Sequence, residues 1–216
     1  MKGLFGRFKQ SSAQRNDEEH PDSVLFSTAF ADQGVDPSRL VPWEGRANEV
    51  GATRLSAPRA IKLLQGLWAR DKYMSRLTSD SVNRLEQFFD FATVPANRDI
   101  IRQDEYGNFM IVLLTGSIAV DRVQPWGERM RLTETRPGDI LGEMSLLDSG
   151  KRFSVCTSLT DCDIAVLSAQ ALDEMTGADP TLAASLIALL ARKLSLRLRL
   201  VSTQLTEKKA SRYLTP

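Results

Sequence analysis

Gly142, Glu143 and Arg152 stand in one short stretch, GEMSLLDSGKRFSV, and their chemistries complement each other. A glycine lets backbone N–H groups at the start of a helical turn approach an anion closely. Arginine is a planar, permanently charged fork that grips an oxyanion through two parallel hydrogen bonds, which lysine cannot do. A carboxylate accepts a hydrogen bond from a neighbouring hydroxyl. Together the three suit a singly charged phosphate carried on a sugar. The loop DSGK lets the chain double back, so that Arg152 can face Gly142. Met144 and Ser145 share the turn, and Phe153 and Ser154 follow the arginine, so all four join the expected contact set. Outside any wider pattern, a plainer reading holds: Glu143 caps a helical turn, and Arg152 pairs with Asp148 or Asp139 as a weak surface ion pair.

Composition narrows the alternatives. With 28 Lys and Arg against 27 Asp and Glu, the net charge is +1, so no global field draws the chain to nucleic acid or membrane. The 216 residues suffice for one well-filled core with appendages. A single histidine, His20, lies in a polar N-terminal stretch, which argues against a catalytic triad, a histidine metal centre or a phosphodiesterase. No enzyme activity and no metal are expected. Cys156 and Cys162 fit neither a disulfide framework nor a metal-ligand spacing and read as small buried fillers in a reducing compartment. No apolar run approaches the roughly eighteen residues of a membrane span, and no signal peptide is recognisable. A cytoplasmic protein is expected.

These residues need elements to position them. After Asp90 come eight short runs rich in β-formers: FATVPA, DIIRQ, FMIVLLT, SIAVDRV, RMRLTET, ILGEMSLL, FSVCTSL and DIAVLS. They are separated by turns such as EYGN, TG and RPGD, the mark of a sandwich or barrel. Before them, Ile61, Leu64, Leu67 and Trp68 recur at helical spacing, and a serine or aspartate cap precedes Val82, Leu85, Phe88 and Phe89. After them a short helical piece breaks at Gly177, and a long helix starts at Asp179-Pro180. The expected fold is α+β, an eight-stranded antiparallel β-roll or jelly-roll barrel flanked by N-terminal helices and a long C-terminal helix. The expected division is a largely flexible extension (1–58), N-terminal helices (59–90), the β-roll (91–175) and a hinge with the long helix (176–216). In the long helix Leu194, Leu198, Val201 and Leu205 form a paired-helix seam, which Ile187 and Leu190 extend toward the N-terminus. Packing of the same stripe on the chain's own β-roll is the competing reading.

RPGDILGEMSLLDSGKR resembles the phosphate-binding cassette of cyclic nucleotide-binding domains, the module shared by the catabolite activator protein and by cyclic-nucleotide-dependent kinases and channels. The resemblance extends upstream through VPANRDIIRQDEYGNFMIVLLTGSIAVDR, with Gly107 and Gly116 at the family's turn glycines, and downstream through ADPTLAASLIALLARKLSLRLRLVS. It covers residues 85–206. It implies that Glu143 accepts from the ribose 2′-hydroxyl, that Arg152 grips the phosphate and that Gly142 lends its amide. Two departures follow. Phe153 occupies a slot the family gives to a small residue, so its ring must face the core or intrude on the sugar-phosphate, unless a one-residue register shift gives Ser154 that role. Arg197 and Leu198 replace the hydroxyl pair that reaches adenine in the activator. Arg197 either meets a purine edge or is solvated helix charge. The implied ligand is a cyclic nucleotide, with cAMP, cGMP and c-di-GMP all admissible, and no cofactor.

Only TEKKASRYLTP follows the long helix, and a DNA-binding domain is not expected. The expected function is a stand-alone sensor acting through an unidentified protein partner or through rearrangement of a homodimer built on the C-terminal helix. The alternative is a degenerate fold, kept as an interaction scaffold, with Phe153 blocking the pocket. Residues 1–9, MKGLFGRFK, could form a short amphipathic membrane contact. Nine residues with two glycines make a marginal helix, and a frayed terminus is the favoured reading.

Overall fold

A computed structural model describes residues 24–213. The expectations for residues 1–9 and for His20 lie outside them. Seven helices and nine strands follow in order: α1 (Leu25–Asp32), α2 (Trp43–Val50), β1 (Thr53–Arg54), α3 (Ala57–Trp68), α4 (Ser79–Arg84), β2 (Asp90–Val94), β3 (Asp99–Ile101), β4 (Phe109–Leu113), β5 (Ile118–Val123), β6 (Arg129–Glu134), β7 (Ile140–Leu141), α5 (Glu143–Asp148), β8 (Val155–Ser158), β9 (Cys162–Ser168), α6 (Ala169–Ala178) and α7 (Pro180–Tyr213).

Each of the eight β-rich runs contains one strand, but they do not close into a barrel. One sheet runs β1-β2-β9-β4-β7 and the other β3-β8-β5-β6. All pairings are antiparallel. The closed eight-stranded barrel is therefore corrected to two facing sheets. β6 bonds only β5, and the two-residue β7 bonds only β4, so both remain edges. The ninth strand, β1, comes from the segment expected to be flexible and pairs Thr53 with Thr93 and Arg54 with Ala92.

Side-chain alternation explains why FMIVL is apolar throughout. Phe109, Ile111 and Leu113 of β4 point between the sheets, where they meet Ile101, Ile118, Val120 and Ile164. Met110 and Val112 point the other way, into a helical layer formed by Ile61, Leu64 and Trp68 of α3, Leu172 and Met175 of α6, and Leu186 and Leu190 of α7. A strand buried on both faces reads as a continuous hydrophobic run. Gly116, at φ +87°, makes the tight turn before β5; a Cβ there would lie 2.5 Å from the Asp161 carbonyl oxygen.

Helix boundaries follow local chemistry with small displacements. Thr78, rather than a serine or aspartate, caps α4, accepting from the Ser81 N–H at 3.1 Å. α6 runs through Gly177, and the break falls at Asp179, whose carboxylate accepts from the Leu182 N–H at 3.1 Å. Ile187 and Leu190, expected on a seam, pack on the chain's own helical layer. Beyond them α7 is held to the domain by the Lys193–Asp71 and Arg197–Glu143 pairs, while Leu198 and Val201 are 67% and 47% exposed.

Of the segment expected as a flexible extension, residues 24–58 hold α1, α2 and β1 and bury Phe26, Phe30, Trp43 and Val50. The Asp173 carboxylate of α6 accepts from the Phe26 and Ser27 N–H groups at 2.9 and 2.8 Å, satisfying the orphan donors at the start of α1. In α2, Trp43 and Val50 enter the inter-sheet core, and Trp43 meets Phe109 edge-on with ring centroids 5.6 Å apart. Arg46 is buried and pairs with Glu49 at 2.5 Å and with Glu105, while Arg102 reaches Glu49 at 2.6 Å. Gly34 and Gly51, both at positive φ, shape turns of this segment, while Gly45 lies inside α2.

Candidate functional site

The cassette is assembled from three places in the chain. Gly142, in the left-handed region at φ +79°, ends β7 and starts α5. A Cβ at that position would lie 2.6 Å from Arg152 Nη1 and 3.1 Å from the Phe109 carbonyl oxygen, so close approach as well as φ demands glycine. The return from the DSGK loop is held by backbone pairing with residues 104–106: the Arg152 N–H donates to the Glu105 carbonyl at 2.8 Å, and the Asp104 N–H to the Arg152 carbonyl at 2.9 Å.

Arg152 is only 3% exposed. Nη1 donates to the Gly142 carbonyl at 2.9 Å and Nη2 to the Phe109 carbonyl at 2.6 Å, and the guanidinium lies 4.6 Å from the Phe109 ring centroid. Gly107 permits this placement, since a Cβ there would come within 2.7 Å of Nε. Burial pulls the Arg152 pKa down to about 10, so the group remains cationic at neutral pH. The neighbouring Arg46 acts in the same direction, and Glu105 and Glu143 partly offset both. The surface pairing with Asp148 or Asp139 does not occur: Asp148 accepts from the Gly150 N–H and Asp139 from the Arg136 N–H.

Glu143, the first residue of α5, is 6% exposed and accepts from Arg197 Nη1 at 2.7 Å. Arg197 is thus neither free surface charge nor aimed at an open base position; it ties α7 to the cassette. Ser145 is buried under α5, and Met144 is exposed. Ser154 is half-buried, its hydroxyl oxygen 4.0 Å from Cys156 Sγ. Phe153 does not face the core. Its ring is 55% exposed, with the Arg122 guanidinium 4.7 Å from its centroid. Gly142 and Arg152 therefore meet directly, Glu143 meets Arg197, and Phe153 stands outside the core.

Sequence reasoning missed Phe109, Glu105 and Trp43. Phe109 and Glu105 hold Arg152 through backbone carbonyls, which no residue type advertises, as well as through the Phe109 ring, and Trp43 acts from the segment expected to be flexible. Both thiols are free and buried, and burial pushes Cys156 up to about 12. Among the described residues no group of three or more His, Cys, Asp or Glu could hold a metal ion, and no helix is long and apolar enough to cross a membrane.

Residues 91–179 match the family model described as the cyclic nucleotide-binding domain. The chain is 29% identical to the cyclic AMP receptor protein of Thermus thermophilus over 118 residues, 55% of each chain. A solved cyclic nucleotide-binding domain from Methylobacillus flagellatus superposes with a TM-score of 0.65 at 22% identity, covering 73% of this chain and 89% of that one. The c-di-GMP-responsive global regulator of Xanthomonas campestris superposes with a TM-score of 0.52 at 20% identity, covering 64% and 66%. The match to the cyclic nucleotide-binding domain runs from β2 to Asp179 and takes in strands of both sheets and the Gly142–Arg152 stretch. It spans about half the length of the curated relatives it matches.

Proposed function

We propose that the chain is a cytoplasmic cyclic-nucleotide sensor, a regulator rather than an enzyme, that passes ligand occupancy to α7 and through α7 to a protein partner or a second copy. The observation that carries this reading is the Arg197–Glu143 pair at 2.7 Å. The carboxylate positioned for a ribose hydroxyl is, without ligand, held by the helix that would transmit the signal. A ribose bonded to Glu143 competes with Arg197, so ligand and the docked helix have opposed claims on one group, which is the differential contact a population shift requires. Arg152, Gly142 and Ser154 would provide the phosphate contacts, with Met144 and Ser145 shaping the turn. Isothermal titration with cAMP, cGMP and c-di-GMP tests the reading. At least one is expected to bind, and Glu143→Gln should weaken it by about tenfold to a hundredfold, the value of a hydrogen bond to a charged group. Failure of all three to bind at millimolar concentration would overturn it.

One observation favours the scaffold alternative: Arg152 and Glu143 both have partners within the chain, so neither charge needs a ligand to satisfy it. Phe153 is 55% exposed rather than buried in the core, and titration of Phe153→Ala separates a blocked pocket from an open one.

The homodimer reading rests on the 4-3 spacing of Leu194, Leu198 and Val201, of which Leu194 is half-buried and Leu198 and Val201 are exposed. Leu205 lies outside the residues whose side chains are described. Sedimentation of a Leu194→Glu/Val201→Glu double variant is expected to show a loss of mass from dimer to monomer. A wild-type chain that already sediments as a monomer would refute the pairing.

A further inference from the structure

We propose that Phe153 and Arg122 form a second subsite beside the cassette, and that the ligand it completes is a cyclic dinucleotide. The inference rests on reading the cassette as a nucleotide site. Arg152, Gly142 and Glu143 supply one cation, one set of amides and one acceptor, enough for one cyclic phosphate on one ribose. They leave unexplained an aromatic ring in water directly after the cassette arginine. The Phe153 ring is 55% exposed on a domain whose sheets enclose filled cores.

Arg122 makes the ring more than a packing remnant. It lies on β5, which pairs with β8 through Val120 opposite Cys156 and Asp121 opposite Val155, so it sits beside the Phe153–Ser154 stretch. Strand alternation puts it on the side of Ile118 and Val120, the inter-sheet face shared by Ile101 and Phe109, against which Gly142 and Arg152 rest. Its Nη1 donates to the Phe153 carbonyl, and its guanidinium covers one face of the ring. Its neighbours Arg129 and Arg131 are paired with Asp99 and Asp121. Among the described residues Arg122 has no carboxylate partner.

A guanidinium held in place, unneutralised and partly exposed, fits a phosphodiester, and a half-exposed aromatic ring fits a purine. A cyclic mononucleotide has no second phosphate or second base to place there. A cyclic dinucleotide carries both, joined covalently to the half that the cassette holds. The two halves then bind as one bivalent ligand, and the subsite's contribution multiplies the cassette's.

Titration of the full-length protein with cAMP, cGMP, c-di-GMP and c-di-AMP tests this, together with Arg122→Ala and Phe153→Ala variants whose folding is checked by thermal melting. A dinucleotide is expected to bind at least about tenfold more tightly than either mononucleotide. Each variant should cut the dinucleotide-to-mononucleotide affinity ratio by about fivefold to a hundredfold, the range of one stacked base. If mononucleotides bind and the ratio is unchanged in both variants, the subsite is overturned while the sensor reading stands. A Phe153→Ala variant that binds any of the four more tightly also overturns it, because the ring is then an obstacle. If no ligand binds, both readings fall together.

Discussion

Arg152→Ala is expected to abolish measurable nucleotide binding and also to lower the unfolding free energy by about 2–4 kcal/mol. The double effect follows from the geometry. The guanidinium that would meet the phosphate already bridges the Gly142 and Phe109 carbonyls and stacks on the Phe109 ring. Truncation removes the guanidinium donor from the Phe109 carbonyl, leaves the Gly142 carbonyl with only the Leu146 N–H at 3.3 Å, and opens a void beneath Gly107 and Gly142, the glycines that close around the side chain. Chemical denaturation measures the stability, and titration well below the melting temperature measures binding. Arg152→Lys should retain the charge but lose the fork, recovering part of the stability and little of the binding. Unchanged stability in Arg152→Ala would mean that the carbonyl cradle is not formed in solution. Loss of stability with binding intact would remove Arg152 from the phosphate site.

Trp43→Ala carries the second large effect, a loss of about 3–5 kcal/mol, the usual consequence of removing a buried tryptophan. Trp43 comes from the segment before the cyclic nucleotide-binding domain, yet it lies in the inter-sheet core against Phe109, whose carbonyl and ring hold Arg152. Its removal is therefore expected to weaken nucleotide binding as well, by freeing Phe109. Trp43→Phe should restore most of the stability, because a ring can still meet Phe109 edge-on. Denaturation curves and titrations of the two variants check both points. A loss below about 1 kcal/mol would show that α2 is dispensable to the fold.

How far the sequence reached depended on the range of the interaction involved. Turn glycines and short apolar runs placed every strand from β2 to β9, because strand period and turn chemistry are local. The same locality let Asp179-Pro180 mark the start of α7. The seam was half legible: Leu198 and Val201 are exposed, whereas Ile187 and Leu190 serve the domain's helical layer. A leucine repeat states that one face is apolar and does not say what covers each turn of it. Residues 24–58 were the largest omission. Their glycines and prolines obscure helices of only eight residues, and short helices gain stability from packing rather than from propensity.

For the site, the sequence by itself determined the identities and the order: a left-handed glycine, a carboxylate at the first position of a turn, an arginine brought back by a loop, and an arginine on the following helix. Those are statements of residue type and spacing, which chain geometry carries locally. Only the tertiary structure decided what each one touches. It turned Arg152 inward to two carbonyls, set Arg197 on Glu143, brought α2 under the cassette and left Phe153 outside beneath Arg122. The reason is physical. A buried charge must find partners wherever the fold offers them, and here the partners are backbone oxygens and side chains far along the chain, which no local pattern encodes.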